Sequence, residues 1–232
     1  STATGNIRYL ATGDISLSSL DSTGGDVLVD STGGNIINNS ATLVNVIGNN
    51  AQLEASGAVG EPAGTNNGLL KTTVNTLAAS AGTGGVYVAN SQTLDIGSIA
   101  TIDVDRVGTN GVDTNQAGAL LAGIQAGNGV VVTANGTLTV DQPVQATTGN
   151  LLLSALAGDL AINNTVKALA GDASLLASGN ITQAAAGAVT VGGAGNTLDV
   201  NAQGGTITMT DGAVSTATGN IRYLATGDIS LS

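Results

Sequence analysis

Along the 232-residue chain, apolar and polar positions alternate in short runs, and most runs are announced by a glycine followed by Asn, Asp or Thr. Ile15 and Leu17 flank Ser16, Val27 and Val29 flank Leu28, Leu138 and Val140 flank Thr139, and Ile207 and Met209 flank Thr208. Alternation of this period predicts half-buried strands, one face inward and one outward. The Gly-Asn/Asp/Thr pairs supply the tight corners between them. They include Gly5-Asn6, Gly13-Asp14, Gly25-Asp26, Gly34-Asn35, Gly149-Asn150, Gly158-Asp159, Gly171-Asp172, Gly179-Asn180, Gly205-Thr206, Gly219-Asn220 and Gly227-Asp228. Neighbouring spacings alternate between short, as from Gly5 to Gly13 or Gly25 to Gly34, and long, as from Gly13 to Gly25 or Gly158 to Gly171. Every second corner is therefore one coil on: Gly5 to Gly25, Gly13 to Gly34, Gly149 to Gly171, Gly158 to Gly179 and Gly205 to Gly227.

Short strands joined by such corners make a chain coil on itself. The pattern predicts an all-β fold, a parallel β-helix (β-solenoid) in which equivalent residues stack on consecutive rungs about 4.8 Å apart. Val, Ile and Leu then form internal ladders, and Asn and Thr form hydrogen-bonded ladders at the corners.

A longer period lies above the short one. The segment STATGNIRYLATGDISLS occupies Ser1–Ser18 and recurs unchanged at Ser215–Ser232, so position 215 repeats position 1. The reading is one tandem unit, residues 1–214, of about ten coils of about 20–22 residues each, followed at 215–232 by the start of the next identical unit. Two stretches interrupt the rhythm. Residues 48–70, which contain Pro62, read as a loop leaving the wall, and residues 106–129 as a longer excursion with a helical turn around Ala117–Gln125.

Composition agrees with a core of thin aliphatic layers. There is no Cys, His, Trp or Phe, with three Tyr, one Met and 35 Gly. The net charge of −11, without a basic stripe or stacking aromatics, gives nucleic-acid binding no electrostatic source. No stretch approaches the roughly 20 apolar residues of a membrane helix. Without cysteine there is neither a disulfide framework nor thiol chemistry.

Candidate chemistry is sparse. Without His or Cys, serine- or cysteine-type catalysis and imidazole metal sites are not available, and the chain is expected not to be an enzyme and to need no cofactor or metal. The carboxylates with most potential are Asp103 and Asp105, projecting from one face of ATIDVDRV with Ile102 and Val104 inward, Arg106 following and Asp95 a rung or corner away. They could serve a sugar-cleaving groove or a surface Ca²⁺ site, but an ordinary solvated strand face is favoured. GGAGNTLDV at Gly192–Val200 matches the glycines of a calcium-binding β-roll repeat and has Thr197 where that repeat requires Asp. Outward Thr137, Thr139, Thr206, Thr208 and Thr210 read as ordinary strand residues, since a flat Thr array needs Thr on successive rungs. Leu28 and Leu152 are outward apolar positions that would form a lateral seam between fibres if aligned.

Strings such as TGNLLLSALAGDLAINN (Thr148–Asn164) and GNIRYLATGDISLSS (Gly5–Ser19) resemble the repeats of filamentous-haemagglutinin-like bacterial surface adhesins. The resemblance implies a right-handed parallel β-helix, extracellular or at the cell surface, serving as a structural fibre or adhesin stalk. Expected partners are adjacent identical repeats in the same chain, then neighbouring fibres and cell-surface or matrix glycans. A second reading makes the chain a glycan- or receptor-binding module acting through the stretches at 48–70 and 106–129.

Overall fold

A computed structural model describes residues 5–65 and 67–231, so Ser1–Thr4 and Ser232 of the repeated segment, and Asn66 in the 48–70 stretch, lie outside the described residues. Strands and no helix occur among them, and the strands stack in parallel as a β-solenoid of about ten turns. The longest ladder runs Ile7–Ala11, Val27–Ser31, Asn50–Ala55, Thr76–Ala81, Leu94–Ile96, Leu138–Val140, Leu160–Ile162, Ile181–Gln183, Ile207–Met209 and Ile229–Ser230, ten rungs in all.

Each coil sets one straight strand of five or six residues against two short strands that meet at a bend. In the first half the straight strands, Ile7–Ala11 to Thr76–Ala81, form a first wall. The second wall is bent there, built from pairs such as Ile15–Leu17 with Leu20–Ser22 and Ile36–Asn38 with Val46–Gly48. The two walls then exchange shape. Thr76–Ala81 pairs along its whole length with Asn50–Ala55 below. Above it, Thr76 and Leu77 meet Asp95 and Ile96, while Ala79–Ala81 meet Ile124–Ala126, so one straight strand hands over to two short ones. On the second wall Val86–Asn90 stacks on both Val59 and Leu70–Thr73, merging two short rungs into one straight strand. Val130–Ala134, Leu151–Ala155, Ala173–Ala177, Leu198–Ala202 and Ile221–Ala225 continue that straight second wall.

The interior follows from the alternation. Val132, Leu153, Leu175 and Val200 stack as one buried column, Leu138, Leu160, Ile181 and Ile207 as another, and Ala134, Ala155, Ala177 and Ala202 fill a narrow edge. Small and branched side chains suffice because each rung adds a layer only one strand spacing thick. Gln183 is a polar exception, 4 % exposed; its Nε2 donates to Val214 O (2.9 Å), and its Oε1 accepts from the Ser215 hydroxyl (3.0 Å). Those bonds hold the widened bend at 210–214 against the core and satisfy a side chain that would otherwise be costly to bury.

The corners show why the motif reads Gly-Asn/Asp. At several corners the side-chain oxygen of the polar residue accepts the backbone N–H of its counterpart one rung on. Asp26 N–H donates to Asn6 Oδ1 (3.0 Å) and Asn50 N–H to Asp26 Oδ1 (3.1 Å). Asn35 N–H donates to Asp14 Oδ1 (2.7 Å) and Ala58 N–H to Asn35 Oδ1 (2.8 Å). In the second half the chains are Asn150 to Asp172 to Thr197 and Asp159 to Asn180 to Thr206. The Thr197 N–H, and then its hydroxyl, hold the Asp172 carboxyl below its ordinary pKa. The preceding glycine is required by proximity: a Cβ on Gly179 would overlap Asp159 Oδ1, and one on Gly171 the Gly149 carbonyl.

Two expectations need correction. Most of 48–70 stays in the solenoid: Gly48 ends a short strand, Asn50–Ala55 is a straight strand, and Val59 is fully buried between Ile36 and Val86. Among the described residues, only 60–65 and 67–69 of this stretch leave the wall. The excursion expected at 106–129 begins earlier, after Ile96, and returns at Ile124. No helical turn forms around Ala117–Gln125; Leu121–Ala122 and Ile124–Ala126 are strands, because both find strand partners and Gly118 and Gly123 interrupt the run. The coil keeps the expected length where Ile7 pairs with Val27, Ile15 with Ile36 and Val144 with Val166. It is longer where Ile181 pairs with Ile207, and about doubles across the excursion, where Val86 pairs with Val130.

The corner ladder makes a direct prediction. Asn180 Oδ1 accepts both the N–H and the hydroxyl of Thr206 (2.9 and 3.1 Å). Asn180→Ala should cost about 1–2 kcal/mol in urea unfolding, whereas Asn180→Asp, which keeps the acceptor, should stay within about 0.5 kcal/mol of the parent.

Candidate functional site

The feature that departs most from a plain solenoid is the arm ejected between Ile96 and Ile124. Its base is closed by two glycines. Gly97 N–H donates to Leu77 O (3.2 Å), Gly123 N–H to Gly97 O (2.9 Å), and Ala79 N–H to Gly123 O (2.9 Å). Gly123 has φ +70°, and a Cβ there would overlap the Pro143 carbonyl oxygen. Glycine alone satisfies both conditions without strain.

From this base the arm turns back and runs over the outer face of the first wall toward the first coil. Ser98–Ile99 pairs antiparallel with Leu121–Ala122, and Val104–Val107 pairs antiparallel with Asp113–Gln116 to form a hairpin. Ile99, Ile102 and Leu121 pack on Ala78 and Leu28, a small second core outside the wall. Gln52, fully buried beneath, donates from Nε2 to the carbonyls of Ile99 (3.0 Å), Ala100 (3.2 Å) and Ala119 (2.9 Å). Asn6 Nδ2 reaches Asp103 O (3.0 Å), and Val104, Asp105, Arg106 and Gln116 line a shallow cavity with Arg8 and Leu10. Leu28, an outward apolar position on the wall, is thereby covered and only 3 % exposed, so the arm, not a neighbouring fibre, buries it.

The arm also decides the fate of the candidate carboxylates. Ile102 is buried, Val104 half-buried, and Asp103 and Asp105 exposed, as the alternation predicts. Asp95, however, is not beside them. It stays in the first wall between Thr76 and Thr139, whereas Asp103 lies over the first coil, four rungs away. The arm's antiparallel return carries the two aspartates off the coil that holds Asp95, so the constellation of Asp95, Asp103 and Asp105 does not form. No group of three or more acidic side chains converges on a point among the described residues.

Asp95 is distinctive in another way. Burial, and secondarily the nearby Asp141 charge, push its pKa up to about 6, and its Oδ1 is buried without a hydrogen-bond partner among the described residues. It lines a shallow cavity with Asn75, Gln92, Thr93 and Thr139. The outer face of the first wall holds a second strained pair: burial raises the pKa of Asp30 against the lowering effect of Arg8, and burial with the Asp30 charge raises that of Glu54, its register partner.

At Gly192–Val200 the structure forms a glycine-rich corner, with Gly193 and Gly195 at φ +80° and +79°. Asn196 Nδ2 donates to Gly192 O (2.6 Å), and Thr197 serves the Asp172 corner acceptor from its N–H and hydroxyl. The threonines stack more than the sequence suggested: Thr182 lies beside Thr208, and Thr190 beside Thr216. Each pair spans two rungs and is continued by Ala161 or Ser230 in one column and Lys167 in the other. Thr206 is engaged at its corner by Asn180. The segment 67–69 is pinned by the buried Asn38, whose Nδ2 donates to Asn67 O (3.1 Å) and Leu69 O (2.9 Å). No family model, curated protein or solved structure matches the chain.

The Asp95 environment gives a pH prediction. A carboxyl whose pKa is raised on folding binds its proton more tightly in the folded state. Its penalty is therefore absent below the unfolded value near 4, and grows as pH rises through the folded value of about 6. Asp95→Asn should raise the melting temperature at pH 7.5, with the gain shrinking to zero near pH 4, as followed by circular dichroism across that range.

Proposed function

We propose that residues 1–214 are one structural unit of a tandem array, in which successive copies stack into a stiff rod that serves as a bacterial extracellular fibre or adhesin stalk. The observation that carries this reading is how the repeated segment pairs at the two ends. Ile7–Ala11 forms a straight strand whose upper edge pairs with Val27–Ser31. The identical Ile221–Ala225 forms the same straight strand and pairs along its lower edge with Leu198–Ala202. Ile15–Leu17 and its copy Ile229–Ser230 divide their pairings in the same way, with Ile36–Asn38 above and Ile207–Met209 below. The two copies thus use complementary edges of one sequence, and together they describe a coil paired on both sides.

The cross-section also matches at the junction. The last complete coils and the first ones both set a straight strand against a bent pair, so straight would continue straight and bent would continue bent. Ile7–Ala11 lies in the first wall and Ile221–Ala225 in the second, so a copy follows its predecessor after eight and a half turns. Each copy then lengthens the rod by about 40 Å and exchanges the roles of the walls.

Stacking also covers the open edge. Tyr9 is 49 % exposed at the start of the solenoid, where its register partner Val29 is fully buried; Tyr223, its copy, is half-buried on Val200. Another copy fits this edge residue for residue, as Leu198–Ala202 fits the identical Ile221–Ala225. The resemblance of the repeats supports the extracellular bacterial setting, and the acidic, cysteine-free composition accords with it. Neither 48–70 nor 106–129 carries an aromatic side chain for a sugar to stack on, and the apolar side chains Ile99, Ile102 and Leu121 of the arm are turned onto the wall, so the glycan-binding reading has less support.

Electron microscopy of the full-length natural chain tests the proposal. Thin unbranched rods, about 40 Å longer for each additional copy at one strand spacing per turn, are expected. Compact particles would contradict it.

A further inference from the structure

The arm progresses steadily along the wall. Ile99 and Ala100 sit on Gln52, Ile102 on Leu28, and Asp103 to Arg106 over Asn6, Arg8 and Leu10, so each step lies one rung nearer the start of the solenoid. The hairpin then continues. Its turn is closed by Gly108 N–H to Val112 O and Gly111 N–H to Gly108 O (both 2.9 Å), and Val107 and Val112 are 67 % and 58 % exposed. Continued on the same heading at about 3.3 Å per residue, the hairpin would carry its tip about two strand spacings beyond the first coil.

We propose that this hairpin is a clasp between copies: in the array, its tip lies across the second wall of the preceding copy, over the outward residues of Leu198–Ala202 and Ala173–Ala177. The proposal rests on the tandem reading above. The junction coil is already visible in the pairing of Leu198–Ala202 with Ile221–Ala225, whose outer face continues the face on which the arm lies in the first copy.

Charge supports the same occupant. Arg8 is half-buried under the arm, and its Nε is buried without a hydrogen-bond partner among the described residues. Its copy Arg222 lacks an arm over it and is 62 % exposed, but it donates from Nε and Nη2 to the two carboxylate oxygens of Asp199 (2.8 and 2.7 Å). Each copy of this arginine has what the other lacks. Stacking gives one guanidinium both the acid on the rung below and the arm above, a fork-to-carboxylate pair shielded from water. Val107 and Val112 would then find Leu176, which sits outward beside Asn201.

Because the chain has no cysteine, introduced thiols are unique. In a protein carrying two consecutive copies, Thr109→Cys in the second copy is combined with Asn201→Cys or Ser174→Cys in the first, and separately with Thr190→Cys on the opposite wall. Under mild oxidation an intramolecular disulfide is expected with Asn201→Cys or Ser174→Cys and not with Thr190→Cys. Adding Val107→Asp and Val112→Asp, both at exposed positions, should slow cross-linking at least tenfold. Double-length rods without a disulfide at either second-wall position, or with one at Thr190→Cys, would overturn the clasp while leaving the tandem reading intact. Failure to form double-length rods would instead remove the tandem reading on which the clasp rests.

Discussion

The structure depends on one recurring interaction, the acceptance of a corner N–H by the side-chain oxygen of the Asn or Asp on the rung below. Parallel strands leave their corners without the paired turns that antiparallel hairpins enjoy, so the backbone N–H at these bends has no strand partner of its own. In the chain from Asp159 through Asn180 to Thr206, a side chain answers that demand and locks the register of adjacent coils. The glycine in front lets successive corners approach closely enough for the bond to form. Once the register is fixed, inward Val, Leu and Ile fall into columns, and no aromatic core is needed.

A solenoid held this way tolerates variation in everything between corners. The bend moves from one wall to the other in the fourth coil, where Thr76–Ala81 supports two short strands and Val86–Asn90 rests on two short rungs. The arm emerges at this exchange, between the two short strands that stand on Thr76–Ala81. Gln52, at the centre of the covered wall, uses its amide to hold three carbonyls of the arm, which places a polar residue in a buried position and leaves its Oε1 without a partner among the described residues. Function on this reading resides in repetition and in one appendage, not in a pocket.

Much of this is legible in the sequence because corners and strands have local signatures. Gly-Asn/Asp followed by alternating apolar residues marks nearly every turn of the second half, and the duplicated eighteen residues mark the long period. Asn50–Ala55 escapes such a reading because its glycine, Gly48, lies one residue earlier than Gly25 does before Asp26, and the outward Gln52 and Glu54 resemble a polar loop. The start of the arm escapes it because Ala100, Ile102 and Val104 alternate with Thr101, Asp103 and Asp105 as a wall strand would; only Gly97 and the shift of phase at Ile99 hint that the chain leaves the wall. The wall exchange has no local signal, since a straight strand and a bent pair share the same period. The separation of Asp95 from Asp103 follows from the arm's reversal, which spacing along the chain does not encode.

A rod of this kind requires that one copy pass into the next without a break and with its walls exchanged. Cryo-electron microscopy of a chain with two consecutive copies, at a resolution that separates rungs, measures this directly by counting coils between the two equivalents of Ile7–Ala11. An uninterrupted ladder with eight and a half turns between them, and the second arm on the opposite wall from the first, is the result predicted. A gap in the ladder at the junction, or a whole number of turns with both arms on one wall, would contradict it.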